Sequence, residues 1–180
     1  MPRAISVNSR IRPLLLVLVL SSTTIGGCQP RQTLSDSGPV GQVFSLPPRV
    51  KQLDATFPIT GCRVIVITTW DCGVSKALIQ GWRSEVEANL DSAGLKRSTG
   101  WIVFGDDKRA AGLLSLAGGR PVSALIAPGD LRDIKQWLGL DGTPHTLIID
   151  EHETIRAVVS GNYVPSTATL NSSCHPHVGT

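Results

Sequence analysis

No apolar run in these 180 residues is long enough to cross a bilayer. The longest, Leu14 to Leu20, has seven residues, whereas a hydrocarbon core of about 30 Å takes about 20 residues in helical form. A permanent transmembrane helix is therefore the weaker reading of this stretch. Acid is missing just before it: the first twelve residues contain Arg3, Arg10 and Arg12 and no Asp or Glu. A basic start followed by a short apolar run is the layout of an export signal. Net charge is lacking too. Removing residues 1–27 takes away three of the 17 basic residues and none of the 14 acids, leaving 14 against 14. The formal +3 of the whole chain is thus a targeting charge. No basic stripe with interleaved aromatics remains to neutralise phosphates, which disfavours nucleic acid as a partner. No internal repeat is visible. A hydrophobic content of 41% with 17% charged residues argues against wholesale disorder, and the length suits one domain with a real core.

The apolar run ends in Ser21-Ser22-Thr23-Thr24-Ile25-Gly26-Gly27-Cys28. An aliphatic residue, two small ones and a cysteine resemble a bacterial lipobox, which implies cleavage before Cys28 and its lipidation. An ordinary secretory signal with an incidental cysteine is the alternative. Residues 28–50 read as a flexible tether: up to about Leu46 they are rich in Ser, Gly, Pro and Gln without helical or strand periodicity.

The folded part shows strand and helix patterns in alternation. Cys62 to Thr69 is a β-branched run of the kind buried on both faces of a sheet. Val74, Leu78, Trp82, Val86 and Leu90 recur every four residues, which predicts a helix from 73 to about 91. Trp101 to Phe104 and Val122 to Ala127 read as strands, Asp107 to Leu116 and Asp130 to about Leu138 as helices. Such alternation implies right-handed crossovers and a largely parallel sheet. His145 to Asp150 and Thr154 to Ser160 then predict a β-hairpin. A short helix starts near Pro165, and from Asn171 onward the chain reads as a disordered tail.

The first strand delivers Trp70-Asp71-Cys72-Gly73-Val74-Ser75 onto the start of a helix. Free N–H groups and the positive dipole end there stabilise a thiolate, while Asp71 beside Cys72 acts in the opposite sense. Gly142-Thr143-Pro144-His145 precedes the hairpin. Strand, Trp-x-Cys turn, helix, Gly-Thr-Pro loop and hairpin, in that order, resemble the thioredoxin-like superfamily. The spacing of about 70 residues between Cys72 and Pro144 looks like its exported TlpA and redoxin branch. The resemblance covers roughly residues 55–170, within a domain of residues 51–171, and implies an α/β three-layer sandwich with a mixed central sheet, and residues 172–180 outside it as tail. It also implies a cis-proline loop facing Cys72, with Thr143 aligning a substrate chain in β fashion. Cys72 would be the catalytic residue, with Trp70, Gly73, Val74, Ser75, Thr143 and Pro144 contacting substrate.

The departure from that family is at position 75, where a serine stands in place of the second cysteine. Serine cannot displace a mixed disulfide, so a dithiol cycle cannot close inside this degenerate CxxS motif. Cys62 sits a full strand away from Cys72, beyond the roughly 7 Å that a disulfide permits between Cα atoms. A Cys62–Cys174 disulfide is the pairing this layout allows if the last helix returns toward Cys62, and two free thiols are the other outcome. With Cys28 lipidated and those two paired, Cys72 is the odd thiol. It then works with an outside thiol or does not turn over at all.

Three functions follow as expectations: a single-cysteine thiol–disulfide oxidoreductase-like protein of the cell envelope, a non-catalytic binding module using the same groove, or a thiol peroxidase. The last draws on Thr69-Trp70-Asp71-Cys72, which resembles part of the peroxiredoxin motif without its earlier proline. Expected partners are envelope protein thiols or disulfides, an external thiol reductant, and the membrane through a lipid anchor. No cofactor or metal is called for; Cys174-His175-Pro176-His177 offers ligands only on a tail. His145 is placed either to assist the Cys72 thiolate as an imidazolium or to enter the strand as an ordinary side chain.

Overall fold

The computed structural model describes residues 38–52, 56–81, 85–95, 98–118, 122–161 and 163–174. A six-stranded sheet has the order β1-β4-β3-β2-β5-β6. Its strands are β1 (Lys51–Gln52), β2 (Arg63–Thr69), β3 (Thr99–Phe104), β4 (Ala124–Ala127), β5 (His145–Ile149) and β6 (Ile155–Ser160). The helices are α1 (Gly73–Gly81), α2 (Glu85–Ser92), α3 (Asp107–Ser115), α4 (Leu131–Leu138) and α5 (Thr167–Cys174). β2, β3 and β4 run parallel, while β1, β5 and β6 are antiparallel to their neighbours. The sheet is therefore mixed, parallel in its centre and antiparallel at both edges.

Every residue of β2 is buried, because helices cover both faces, and β-branched side chains suit that position. Alternate residues sort onto the two faces. Ile65, Ile67, Ile102, Phe104, Leu147 and Ile149 pack with Ile134 and Leu138 of α4. On the other face Val66, Trp101 and Val103 meet Leu78 and Ile79 of α1 and Leu113 of α3. Val64 and Ile148 pack there with Leu90 of α2 and Leu170 of α5. The result is a three-layer α/β sandwich, in which each fully buried aliphatic side chain contributes about 1.5–3 kcal/mol. Helix α4 is bounded as its sequence suggests: Asp130 and Asp133 form a capping box, and Gly139 closes the helix in the left-handed region at φ 70°.

Three differences from the sequence reading stand out. The helix expected over 73 to 91 is described as α1 and α2, with Trp82 and residues 83–84 outside the described residues. Helix α5 continues to Cys174, so Asn171 to Cys174 are helical where a disordered tail was expected; residues 175–180 lie outside the described residues. Part of the segment read as tether packs on the domain. The Phe44 and Gly41 N–H groups donate to the carbonyls of Glu153 and Ile155, and the Ile155 N–H donates to Gln42. Phe44 is 5% exposed in the α4-side core, and this apolar anchor is what holds a polar stretch in place. The stretch read as an export signal and lipobox, with Cys28, lies outside the described residues. Among the described residues no helix is long and apolar enough to cross a membrane.

Candidate functional site around Cys72

Strand β2 ends at Thr69, and the chain turns through Trp70 and Asp71 into α1. The Trp70 N–H donates to the Phe104 carbonyl at 3.1 Å, and the Lys76 N–H donates to the Cys72 carbonyl at 3.2 Å. Cys72 thus accepts the first bond of α1, and its side chain stands at the positive end of the helix. The residue is nearly enclosed, at 2% exposure.

Directly opposite is the Thr143–Pro144 peptide, which is cis. The Cys72 Sγ lies 3.3 Å from the Thr143 carbonyl oxygen, and the hydroxyls of Thr69 and Thr143 are 3.3 Å apart. The Gly161 N–H donates to the Pro144 carbonyl at 2.8 Å, tying the loop to the end of β6. Residues 71 positions apart in sequence are therefore brought together by the antiparallel pairing of β2 with β5.

The other expected contact residues separate into two groups. Gly73 is exposed and Val74 and Trp70 half-buried, so all three are within a partner's reach. Ser75 is fully buried and its hydroxyl bonds that of Thr68. Thr68 in turn donates to the Thr69 carbonyl at 3.2 Å, so Ser75 supplies the proton in the pair. The position that would hold a resolving thiol is a closed structural hydroxyl.

Trp70 is fixed from two sides. Gly105 has φ +151°, and a Cβ there would come within 2.4 Å of the indole Cδ1. The Arg109 guanidinium lies 4.5 Å from the indole centroid and pairs with Asp106 at 3.2 Å. Neither Gly105 nor Arg109 was singled out by the sequence reading, since they come from the β3–α3 connection and the first turn of α3, whose position beside Cys72 depends on tertiary pairing. A cavity of about 190 Å³ adjoins this corner, between Thr69, Trp70 and Asp71 on one side and the start of α4 on the other.

The two remaining cysteine expectations come out differently. Cys62 and Cys174 form a disulfide, with Cα atoms 5.5 Å apart. Cys72, expected as the odd thiol, is itself disulfide-bonded, and that expectation is corrected. His145 is 5% exposed and lies on the α4 face with Leu147 and Ile149, whereas α1 covers the opposite face. Its Nε2 donates to the Asp141 carbonyl at 3.2 Å and its Nδ1 accepts from Ser160 at 3.0 Å. Burial lowers its pKa below the usual 6.5, although the Asp141 and Gly142 backbone contacts oppose that. His145 is a satisfied neutral core histidine, not an imidazolium beside the sulfur. Among the described residues no three metal-binding side chains converge.

No protein-family model matches this chain, and no curated protein matches it. Several solved structures are similar to it at low identity. A thiol:disulfide interchange protein of the thioredoxin family from Chlorobium tepidum is 14% identical at a TM-score of 0.42, over 66% of this chain and 81% of its own. StoA from Bacillus subtilis is 10% identical at 0.41, over 63% and 81%. A peroxiredoxin-like protein from Aquifex aeolicus is 15% identical at 0.39, over 64% and 72%. The architecture seen in the chain itself is a three-layer α/β sandwich on a mixed six-stranded sheet.

Proposed function

We propose that this domain carries out thiol–disulfide exchange at Cys72, in the bacterial envelope outside the cytoplasm. The observation that carries the reading is the 3.3 Å approach of the Cys72 sulfur to the Thr143 carbonyl, beside the cis Pro144. A substrate strand laid along Thr143 would present its sulfur to Cys72, with Trp70, Gly73 and Val74 around it. The signal-like start of the chain supports the location.

In the exchange the Cys72 thiolate, once released from its own disulfide by an external thiol, attacks one sulfur of a substrate disulfide. A Cys72–substrate disulfide forms, the substrate's own S–S bond breaks, and its second sulfur leaves as a thiolate. Because Ser75 is a buried hydroxyl, the next step belongs to an external thiol: it attacks the mixed disulfide, restores the Cys72 thiolate and leaves with the substrate sulfur. Cys72 is unchanged over the cycle: the external thiol's sulfur is oxidised into the new disulfide, one substrate sulfur is released reduced, and a second external thiol that displaces the other completes the two-electron reduction of the substrate. The start of α1 favours the thiolate in each step.

A second reading is supported by the burial of Cys72 and of Ser75: the Cys72–Pro144 groove captures a partner segment without turnover. Replacing Cys72→Ala separates the two. Exchange predicts that the mixed disulfide with a small disulfide probe, detected by peptide mass, vanishes in the variant and that partner capture is lost with it. Capture and cellular role surviving in Cys72→Ala would refute exchange and leave the binding module. A peroxidase would instead consume hydroperoxide through Cys72 sulfenic acid, so the purified protein's rate with hydroperoxide decides that alternative.

A further inference from the structure

The cavity beside Cys72 is walled by Thr69, Trp70 and Asp71, the three residues that lead into Cys72, and by Asp130, Leu131 and Arg132 at the start of α4. Phe104, 2% exposed, lies at its base. These residues follow β2, β3 and β4, so the cavity sits at the carboxyl ends of three adjacent parallel strands, where open α/β sheets place their ligands. Its Thr69 wall adjoins the sulfur's surroundings. The Thr69 hydroxyl is 3.3 Å from that of Thr143, and the Thr143 carbonyl is 3.3 Å from Cys72 Sγ.

A chain aligned along Thr143 with its half-cystine at Cys72 advances about 3.3 Å per residue, which brings a neighbouring side chain to the cavity mouth. The volume of about 190 Å³ accepts one side chain, not a folded segment. Trp70, Phe104 and Leu131 give it an apolar interior. Asp71 and Asp130 at the rim outnumber Arg132, whose side chain is 93% exposed and lies 3.7 Å from Asp130. Asp71 is exposed and makes no ion pair among the described residues. An apolar channel with a net negative rim suits a side chain with a hydrocarbon stem and a cationic tip.

We infer that this cavity is a specificity pocket for the residue flanking the substrate's half-cystine, and that it selects lysine or arginine there. The inference rests on the exchange chemistry proposed at Cys72. In each trial the Cys72 thiolate attacks the substrate peptide's sulfur, the mixed disulfide forms, and the other sulfur departs as a thiolate.

The test uses the full exported chain, reduced, with short cysteine peptides carried as thionitrobenzoate mixed disulfides that differ only in the flanking residue: Lys, norleucine or Glu. Release of thionitrobenzoate is followed, the Cys72→Ala rate is subtracted, and the peptide adduct is mapped to Cys72. The Lys peptide is expected to react roughly fivefold faster than norleucine, the size of one exposed ion pair, with Glu slowest. In Asp71→Asn and Asp130→Asn the Lys-to-norleucine ratio falls toward one. In Leu131→Trp, which fills the channel, the differences among the three peptides collapse.

Equal rates for the three peptides, with dithionitrobenzoate still reacting at Cys72, would overturn the pocket and leave exchange standing. A Lys preference that survives all three variants would overturn it too, assigning the preference to the field of the whole surface. No reaction of Cys72 even with dithionitrobenzoate would remove the exchange reading and the pocket with it.

Discussion

At the scale of single residues the Cys72 corner is defined by small groups that leave room for larger ones. Gly105 is the clearest case, because its backbone has a positive φ and its missing Cβ is the space that the Trp70 indole occupies. Gly105→Ala is expected to push Trp70 off the β3–α3 loop and away from Arg109, at a cost of about 1–3 kcal/mol. A urea titration gives the stability, and quenching or shift of the Trp70 fluorescence against a Trp70→Phe control gives the displacement. An unchanged midpoint would contradict the packing described. Ser75 makes a complementary case. Its position was expected to touch substrate, but the residue turns inward to Thr68. Ser75→Cys would place a second sulfur in the first turn of α1, within reach of Cys72 as the motif's spacing implies. The expected outcome is a disulfide between Cys72 and the introduced sulfur after reduction and mild reoxidation, seen as a loss of two hydrogens in the tryptic peptide, together with release of substrate from Cys72 without an external thiol. Absence of that bond would mean that the turn holds position 75 away from the Cys72 sulfur.

At the scale of elements the disulfide between Cys62 and Cys174 fastens the end of α5 to the start of β2, closing a loop with a sequence separation of 112. In the chain-entropy view a loop of this size restrains the unfolded chain by about 4–5 kcal/mol, and loss of a native disulfide typically costs about 2–5 kcal/mol. Cys62→Ser/Cys174→Ser is therefore expected to lower stability by about 2–5 kcal/mol, with the amide protons of α5 exchanging first under native conditions. Uniform exchange across all helices would argue that α5 is held by Leu170 and its neighbours alone. The elements themselves were legible to different degrees. β2, β3 and the hairpin were readable because β-branched runs identify buried strands, and α4 because Asp130 marks its start. The extent of α5 was not readable: Thr167 to Cys174 is mostly small polar residues without a marked apolar face, and it is packed by Leu170 and the disulfide. The docking of residues 38–50 was equally hidden, since it depends on Phe44 and on backbone pairing with Thr154. Cys72 and Pro144 were visible as landmarks at a distance. Thr68, Gly105, Arg109 and the cavity wall at α4 were not, because only the sheet order makes them neighbours.

Over the whole molecule the chemistry at the two ends of the sheet differs. The Cys72 end surrounds hydroxyls, backbone and an indole with charges kept at an exposed rim, whereas the opposite end of β2 buries its charge. Arg63, 2% exposed, pairs through both terminal nitrogens with Glu153 and lies 5.4 Å from the Phe44 ring centroid. Asp150, fully buried, accepts from the His152 and Thr154 N–H groups and from Arg156. The Arg63 hydrogen bonds hold the Glu153 carboxyl below its ordinary 4.5 despite some burial. Burial pushes Asp150 up, but its hydrogen bonds from Thr154, Arg156 and His152 outweigh that and leave it below 3.8. A carboxylate with a depressed native pKa contributes stability that is present above its unfolded pKa and lost as pH falls through the native one. His145 is a base with a lowered native pKa, so the unfolded chain takes up its proton first, and stability starts to fall once pH drops below 6.5. All three groups act in the same direction. Urea midpoints are expected to decline gently from pH 6.5 and steeply below 4.5. Glu153→Gln should remove part of the steep phase and, by leaving the buried Arg63 charge poorly partnered, cost about 1–3 kcal/mol at neutral pH. His145→Gln should flatten the gentle phase alone. A midpoint that rises as pH falls from 6.5 toward about 5 would show His145 gaining charge in the native state, and with it an electrostatic link to the Cys72 end that its bonds to Asp141 and Ser160 exclude.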